Sequence, residues 1–176
     1  MTAFNAQTVA PPVGRTLQPG DQVQTWSLAH AVAAAARKVD ERILTVADKM
    51  KAANGLGGRS LLALLAFCYA RQIYGSAEVV ARLRYDEGLR GLCDELKPDA
   101  DTIRQFRTDN RQALDFCLQA ALRFQAEQKV TQGLLVKINE QRVAEEARRR
   151  ITMAMFTDSM DLDKDSKQPH HLSFAC

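Results

Sequence analysis

The sequence predicts an all-α protein. Three observations carry that expectation. Aromatic residues make up only 6% of the chain although hydrophobic residues reach 46%, and the abundant residues are Ala, Leu, Arg, Gln and Glu rather than the β-branched and aromatic types that strands favour. Apolar residues recur at gaps of three and four, the period of one helix face. Gly, Pro and Asn separate these periodic runs, and no run alternates as a half-buried strand would.

In chain order, residues 1–23 hold Pro11, Pro12, Pro19 and Gly20 without periodicity and read as a flexible arm. From Thr25 to Ala53 the apolar positions Leu28, Val32, Ala35, Val39, Ile43, Val46 and Met50 predict one long amphipathic helix, closed by Asn54-Gly55 and Gly57-Gly58. Arg59 to Tyr74 is apolar on every face up to Arg71, which predicts a helix buried at the centre of the domain. Gly75 breaks it. Ser76 is placed to cap a helix running to Arg84, with Glu78 in its first turn, and Asp86 to cap a short helix over Glu87–Leu96. Pro98 forces a further break, and Asp99 or Asp101 caps a helix over 101–128. Gly133 separates this from a last long helix, Leu134 to Met160, and residues 162–176 read as a flexible charged tail. The expected organisation is one all-helical domain over 24–161, with its core at 59–128 flanked by two long amphipathic helices.

Bulk properties narrow the function classes. The formal charge is +3 and the sequence pI about 8.7, too mild to imply nucleic acid without local clustering. Residues 1–21 show neither a basic n-region nor an apolar run, so no secretory signal is expected. The longest apolar stretch, Leu61 to Ala70, is ten residues against the roughly 20 that a membrane crossing requires. Cys68, Cys93, Cys117 and Cys176 lack Cys-x-x-Cys spacing, and the first three sit in apolar helical contexts. Reduced thiols in a cytoplasmic protein follow.

The helix over 101–128 divides into two faces. Ile103, Phe106, Leu114, Cys117, Ala121 and Phe124 form the face to be buried, while Arg104, Arg107 and Arg111 fall on one flank with Thr108 beside them. A basic stripe near the start of a helix that follows a short helix and a turn is the arrangement of helix-turn-helix proteins, whose recognition helix enters the major groove. Against this, Asp101, Asp109 and Asp115 are interspersed, and from Arg59 to Gln128 basic and acidic residues balance at ten each. A solvated Arg/Asp-laced face is the competing expectation.

The segment "GRSLLALLAFCYARQIYGSAEVVARLRYDEGLRGLCDELKPDADTIRQFRTDN", Gly58 to Asn110, resembles the N-terminal helical domain of InsH-type bacterial insertion-sequence transposases. The matching features come in order: a Gly-Arg-Ser lead into a very apolar helix with a Tyr, a Tyr-Gly-Ser break, a helix carrying Leu-Arg, a short helix, then Leu-Lys-Pro-Asp followed by Asp101-Thr102-Ile103 and Phe106-Arg107. The resemblance implies a domain that helps bind double-stranded DNA at transposon ends, with Thr102, Arg104 and Arg107 on the reading helix. Arg111, Thr108 and Asn110 extend that contact set. In the family a strand bearing the first metal-binding aspartate of an Asp-Asp-Glu catalytic domain follows. Here Val130 to Phe156 is helical in pattern and holds no aspartate, so the expectation is a DNA-binding protein without the catalysis, requiring no cofactor.

Other motifs fall short. Asp161, Asp163 and Asp165 begin like a calcium loop, but Ser166 stands where Gly is needed and Leu172 where a bidentate Glu is needed. His170, His171 and Cys176 offer no fixed metal geometry. "NGLGGRS" lacks the Lys of a phosphate loop. Arg148, Arg149 and Arg150 can pair with Glu145 and Glu146 across one turn or form a phosphate-gripping patch. Val143, Ala147, Ile151, Ala154 and Met155 form an apolar stripe that can pack on the helix over 25–53 or on a second copy. A helical protein-interaction or dimerisation module is therefore the alternative to the DNA reader.

Overall fold

The computed structural model describes residues 19–46, 57–93 and 97–167, with side chains described within 28–163. Among these residues the protein is all-helical: α1 (Pro19–Arg37), a 3-10 turn (Glu41–Ile43), α2 (Gly57–Ala70), α3 (Ser76–Leu83), α4 (Glu87–Cys93), α5 (Ala100–Asp109), α6 (Arg111–Thr131) and α7 (Glu140–Lys167).

α2 is the hub. Every residue from Leu61 to Ala70 is buried, as its all-round apolar sequence requires, and it packs against α1, α4, α6 and α7. Leu28, Val32, Ala35 and Ala36 close the core from α1, and Leu114, Cys117, Leu118 and Ala121 from α6. Burying each large aliphatic side chain here contributes on the order of 1.5–3 kcal/mol. The ends of α2 are tied down by polar groups. Glu41 accepts from the backbone N–H of Gly58 at 2.8 Å and of Arg59 at 3.3 Å, which satisfies donors that a helix start leaves open. A Cβ at residue 58 would lie 2.7 Å from Glu41 Oε1 and 2.9 Å from Leu44 Cδ1, so glycine allows this approach. At the other end, the Ile73 N–H reaches the Cys68 carbonyl at 2.9 Å and the Gln72 N–H reaches Tyr69 at 3.1 Å, the pattern of a Schellman stop. Its left-handed position is occupied by Gln72, φ 62°, rather than glycine. α6 stops the same way at Gly133, φ 73°, with Leu134 N–H bonded to the Lys129 carbonyl at 2.8 Å.

Two helices depart from the sequence expectation. α1 ends at Arg37, not Ala53. Asp40 caps a new turn by accepting from the Arg42 N–H, so Val39 and Leu44 meet the core from a turn and an extended segment. Residues 47–53 lie outside the described residues. The helix expected over 101–128 is two, broken at Asn110 with φ −115° and ψ 29°. The Asn110 amide donates to the Thr45 carbonyl at 2.8 Å and its oxygen accepts from the Thr45 N–H at 2.8 Å. A third bond to the Phe106 carbonyl at 2.9 Å satisfies a group at the end of α5.

Candidate functional site

The six residues expected to read DNA divide by burial. Thr102, Arg107 and Asn110 are buried, Arg104 is half-buried, and Thr108 and Arg111 are exposed. Asp99 caps α5, accepting from the Thr102 N–H at 2.7 Å and from its hydroxyl at 2.6 Å. Thr102 thus serves the start of the helix. Asn110 serves the break just described. Arg104 is paired with Asp101 one turn away, and Thr108 donates to the Arg104 carbonyl at 3.0 Å.

Arg107 does not lie with Arg104 and Arg111 on an open flank. Its side chain is 4% exposed and forms an ion pair with Asp158 of α7, also 4% exposed, at 2.7 Å. A second guanidinium nitrogen donates to the Tyr69 hydroxyl of α2 at 3.0 Å. Asp158 in turn accepts from the Ser76 N–H at 2.7 Å and from its hydroxyl at 2.5 Å. Ser76, expected to cap α3 itself, is the first residue of that helix and is capped by Asp158 from α7. The carboxylate there gains both an orphan donor and the positive end of the helix dipole. One buried cluster therefore joins α2, α3, α5 and α7. Burial raises the Tyr69 hydroxyl to about 12 against the pull of the Arg107 charge, so the phenol stays neutral. Arg107 Nε is buried with no partner among the described residues.

Asp158 was missed in the sequence because its partners lie 51 and 82 residues away. Its only local signal is a lone carboxylate on the apolar stripe of α7. Arg150 uses the same helix differently. It donates to the Tyr69 and Ala70 carbonyls at 2.9 and 2.8 Å, covering the C-terminal end of α2, and Gln125 adds a bond to Ala70 at 3.2 Å. Glu146 holds Arg149 and Arg150 at 2.7 Å each. The hydrogen bond from Arg149, then those of Arg150, depress the Glu146 carboxyl to about 2 against the cost of burial.

The inner face of α7, Ala147, Ile151 and Ala154, is fully buried and packs within the chain against α2, α3 and α6. Its outer face carries Met153, Phe156 and Met160, exposed by 38, 58 and 45%. Their spacing of three and four sets them in one row. Met155 and Leu162 are also exposed, but beside the buried face and well over 100° round the helix from that row. From Thr152 to Met160 the one charged residue is Asp158, which is buried, so this stretch of surface is uncharged.

Among the described residues no other chemistry assembles. Asp161, Asp163 and Asp165 lie within α7 rather than in a loop. His170, His171 and Cys176 lie outside the described residues. Among the described residues no group of three or more His, Cys, Asp or Glu is placed to hold a metal ion, and no helix is long and apolar enough to cross a membrane. Cys68, Cys93 and Cys117 are buried. Burial pushes the Cys68 thiol up, and that of Cys117 to about 12, which disfavours the nucleophilic thiolate. Comparison with protein-family models, with curated proteins and with solved structures finds no match to the chain.

Proposed function

We propose that this chain is a non-catalytic binding protein whose working surface is the outer face of α7, docking a protein partner. The observation that carries the reading is the joint exposure of Met153, Phe156 and Met160 in one uncharged row. Large apolar side chains grouped on a surface mark interaction sites, and aromatic and methionine residues are enriched at interface centres. The platform beneath is anchored, because Arg150 and Asp158 bind α7 to the ends of α2 and α3. The buried thiols of Cys68 and Cys117 support a cytoplasmic location. Co-purification with the tagged protein from its native cells tests the reading. Phe156→Asp is expected to lose bound proteins, copies of the chain included; an unchanged set would contradict it.

The second reading is binding of double-stranded DNA, supported by the transposase-like order of motifs from Gly58 to Asn110. Arg107, Thr102 and Asn110 are engaged internally, which leaves Arg104, Thr108 and Arg111 as its contact set. Two arginine–phosphate contacts would give a salt slope of only about −2 in log–log form. Fluorescence anisotropy with a labelled duplex tests it: salt-sensitive binding that falls in Arg104→Ala/Arg111→Ala supports this reading, and no binding at low salt removes it.

A further inference from the structure

The loop that joins α6 to α7, residues 132–139, turns apolar side chains outward with a positive charge on each side. Leu134, Leu135 and Val136 are exposed by 73, 39 and 96%, so almost nothing of the fold touches Val136. The backbone is fixed at both ends of the loop. The N–H groups of Leu134 and Leu135 both donate to the Lys129 carbonyl, at 2.8 and 3.2 Å, and Asn139 accepts from the Arg142 N–H at 3.1 Å at the start of α7. Lys129 and Lys137 flank the three apolar residues, and both are exposed. From Gln128 to Asn139 the chain holds no acidic residue. The carboxylates next in sequence on either side, Glu127 and Glu140, both pair with Arg123, at 3.7 and 2.6 Å. Neither lysine has an ion pair among the described residues, nor has the exposed Arg142 in the first turn of α7.

We propose that this loop is a peripheral docking site for the surface of an anionic phospholipid bilayer. Such a surface offers an apolar layer beneath a plane of negative headgroups, and the loop presents the matching pair of features. Leu134, Leu135 and Val136 can enter the boundary between headgroups and acyl chains, where leaving water is favourable. The flexible stems of Lys129 and Lys137 then keep their ammonium groups at headgroup level, where anionic lipids attract them. The lysines are open to that attraction because no carboxylate of the fold engages them. A neutral apolar pocket would accept the three side chains but leave the two charges unanswered. The row on α7 differs on this point, being uncharged, and it lies apart: Met153 is roughly 20 Å along α7 from Glu140 at about 1.5 Å per residue. The lipid contact is therefore independent of the protein docking proposed for that row. With a single short loop engaged, it is weak and reversible.

Co-sedimentation of the full chain with vesicles tests the proposal, comparing phosphatidylcholine alone with phosphatidylcholine containing about 30% phosphatidylserine. Binding is expected to the mixed vesicles only, and it should fall as salt is raised from about 0.1 to 0.5 M. Lys129→Ala and Lys137→Ala should each weaken it about fivefold. Val136→Asp should weaken it about tenfold or more, and its unfolding curve should match wild type because the side chain is exposed. Phe156→Asp should bind vesicles as wild type does, which separates this loop from the row on α7. Fluorescence supplies the independent check. In a Trp26→Phe background, the emission of Val136→Trp should move to shorter wavelength on mixed vesicles and not on neutral ones. No binding to mixed vesicles, equal binding to both compositions, or binding that Val136→Asp leaves unchanged would overturn the proposal. So would loss of a bound protein from Val136→Asp in co-purification without any binding to vesicles, which would give the loop to a protein partner instead.

Discussion

Helix α5 turns an arginine inward, whereas α7 turns its largest apolar side chains outward. Both placements oppose the usual sorting of residues, and the difference between them is in compensation. Arg107 is surrounded by Asp158, Tyr69 and, through Asp158, Ser76, so its charge is matched and its two terminal nitrogens have partners, while Nε has none among the described residues. Met153, Phe156 and Met160 have no such cover. A buried charge matched by its counter-ion marks a structural joint, and an exposed apolar row is the surface we propose as a contact. α5 is thus held by its own protein, and α7 is the helix whose outer face we propose as the docking surface.

The comparison can be broken most severely at the joint. Asp158→Ala leaves Arg107 buried without its counter-ion and α3 without its cap, and is expected to cost about 3–5 kcal/mol, read by urea unfolding. For a chain of this length that corresponds to a fall of about 6–20 °C in Tm. Arg107→Ala should cost a similar amount. The apolar pair Arg107→Met/Asp158→Leu should recover much of the loss, since matched hydrophobes replace buried ion pairs well. A loss below about 1 kcal/mol in both single variants would remove the joint from the account.

Arg150→Ala comes next, at about 1–3 kcal/mol, because the Tyr69 and Ala70 carbonyls lose a charged donor. The Glu146 carboxyl that orients Arg150 sharpens the point through pH. Its pKa falls from 4.5 to about 2 on folding, so its contribution is fully present above the unfolded value and is lost as pH drops through the folded one. The stability difference between wild type and Glu146→Gln should therefore shrink as pH falls from about 5 to 2. A difference that does not change across that window would contradict the assignment. Smaller still is Gln72→Gly, which relieves a left-handed non-glycine residue at the stop of α2 and should stabilise the protein by up to about 1 kcal/mol in the same unfolding assay. Arg104→Ala and Arg111→Ala should fall within about 0.5 kcal/mol of wild type.

Local chemistry made much of the fold legible. All-round hydrophobicity identified α2 as the hub, Asp86 was readable as the cap of α4, and Asp99 as one of two candidates, with Asp101, for the cap of α5. Gly133 was readable as the break after α6. The break at Asn110 was not, because neither Gly nor Pro marks it and its cause is a side chain gripping Thr45, 65 residues away. The end of α1 was hidden for a related reason: Val39, Ile43 and Val46 continue the apolar period although they lie beyond the helix. Arg107 was half legible. At 100° per residue it lies about 40° from Ile103 while Arg104 lies about 100° away, so of the two arginines it is nearer the core. Whether an arginine at that edge turns out or in depends on an acid across the interface, and nothing near it in the sequence supplies Asp158. The outer row of α7 was obscured because Met155 lies next in sequence to the buried stripe that ends at Ala154 and looks like its continuation. Only the packing of Ala147 and Ile151 against α2, α3 and α6 shows which side of that helix is left over.

Co-purification with tagged wild type and tagged Phe156→Asp from the native cells, with unfolding curves on the purified samples, tests the central claim most directly. Wild type should carry bound protein, other copies of the chain included, through the purification. Phe156→Asp should lose it with stability within about 0.5 kcal/mol of wild type. If both proteins retain the same bound set, the outer face of α7 is not the contact surface.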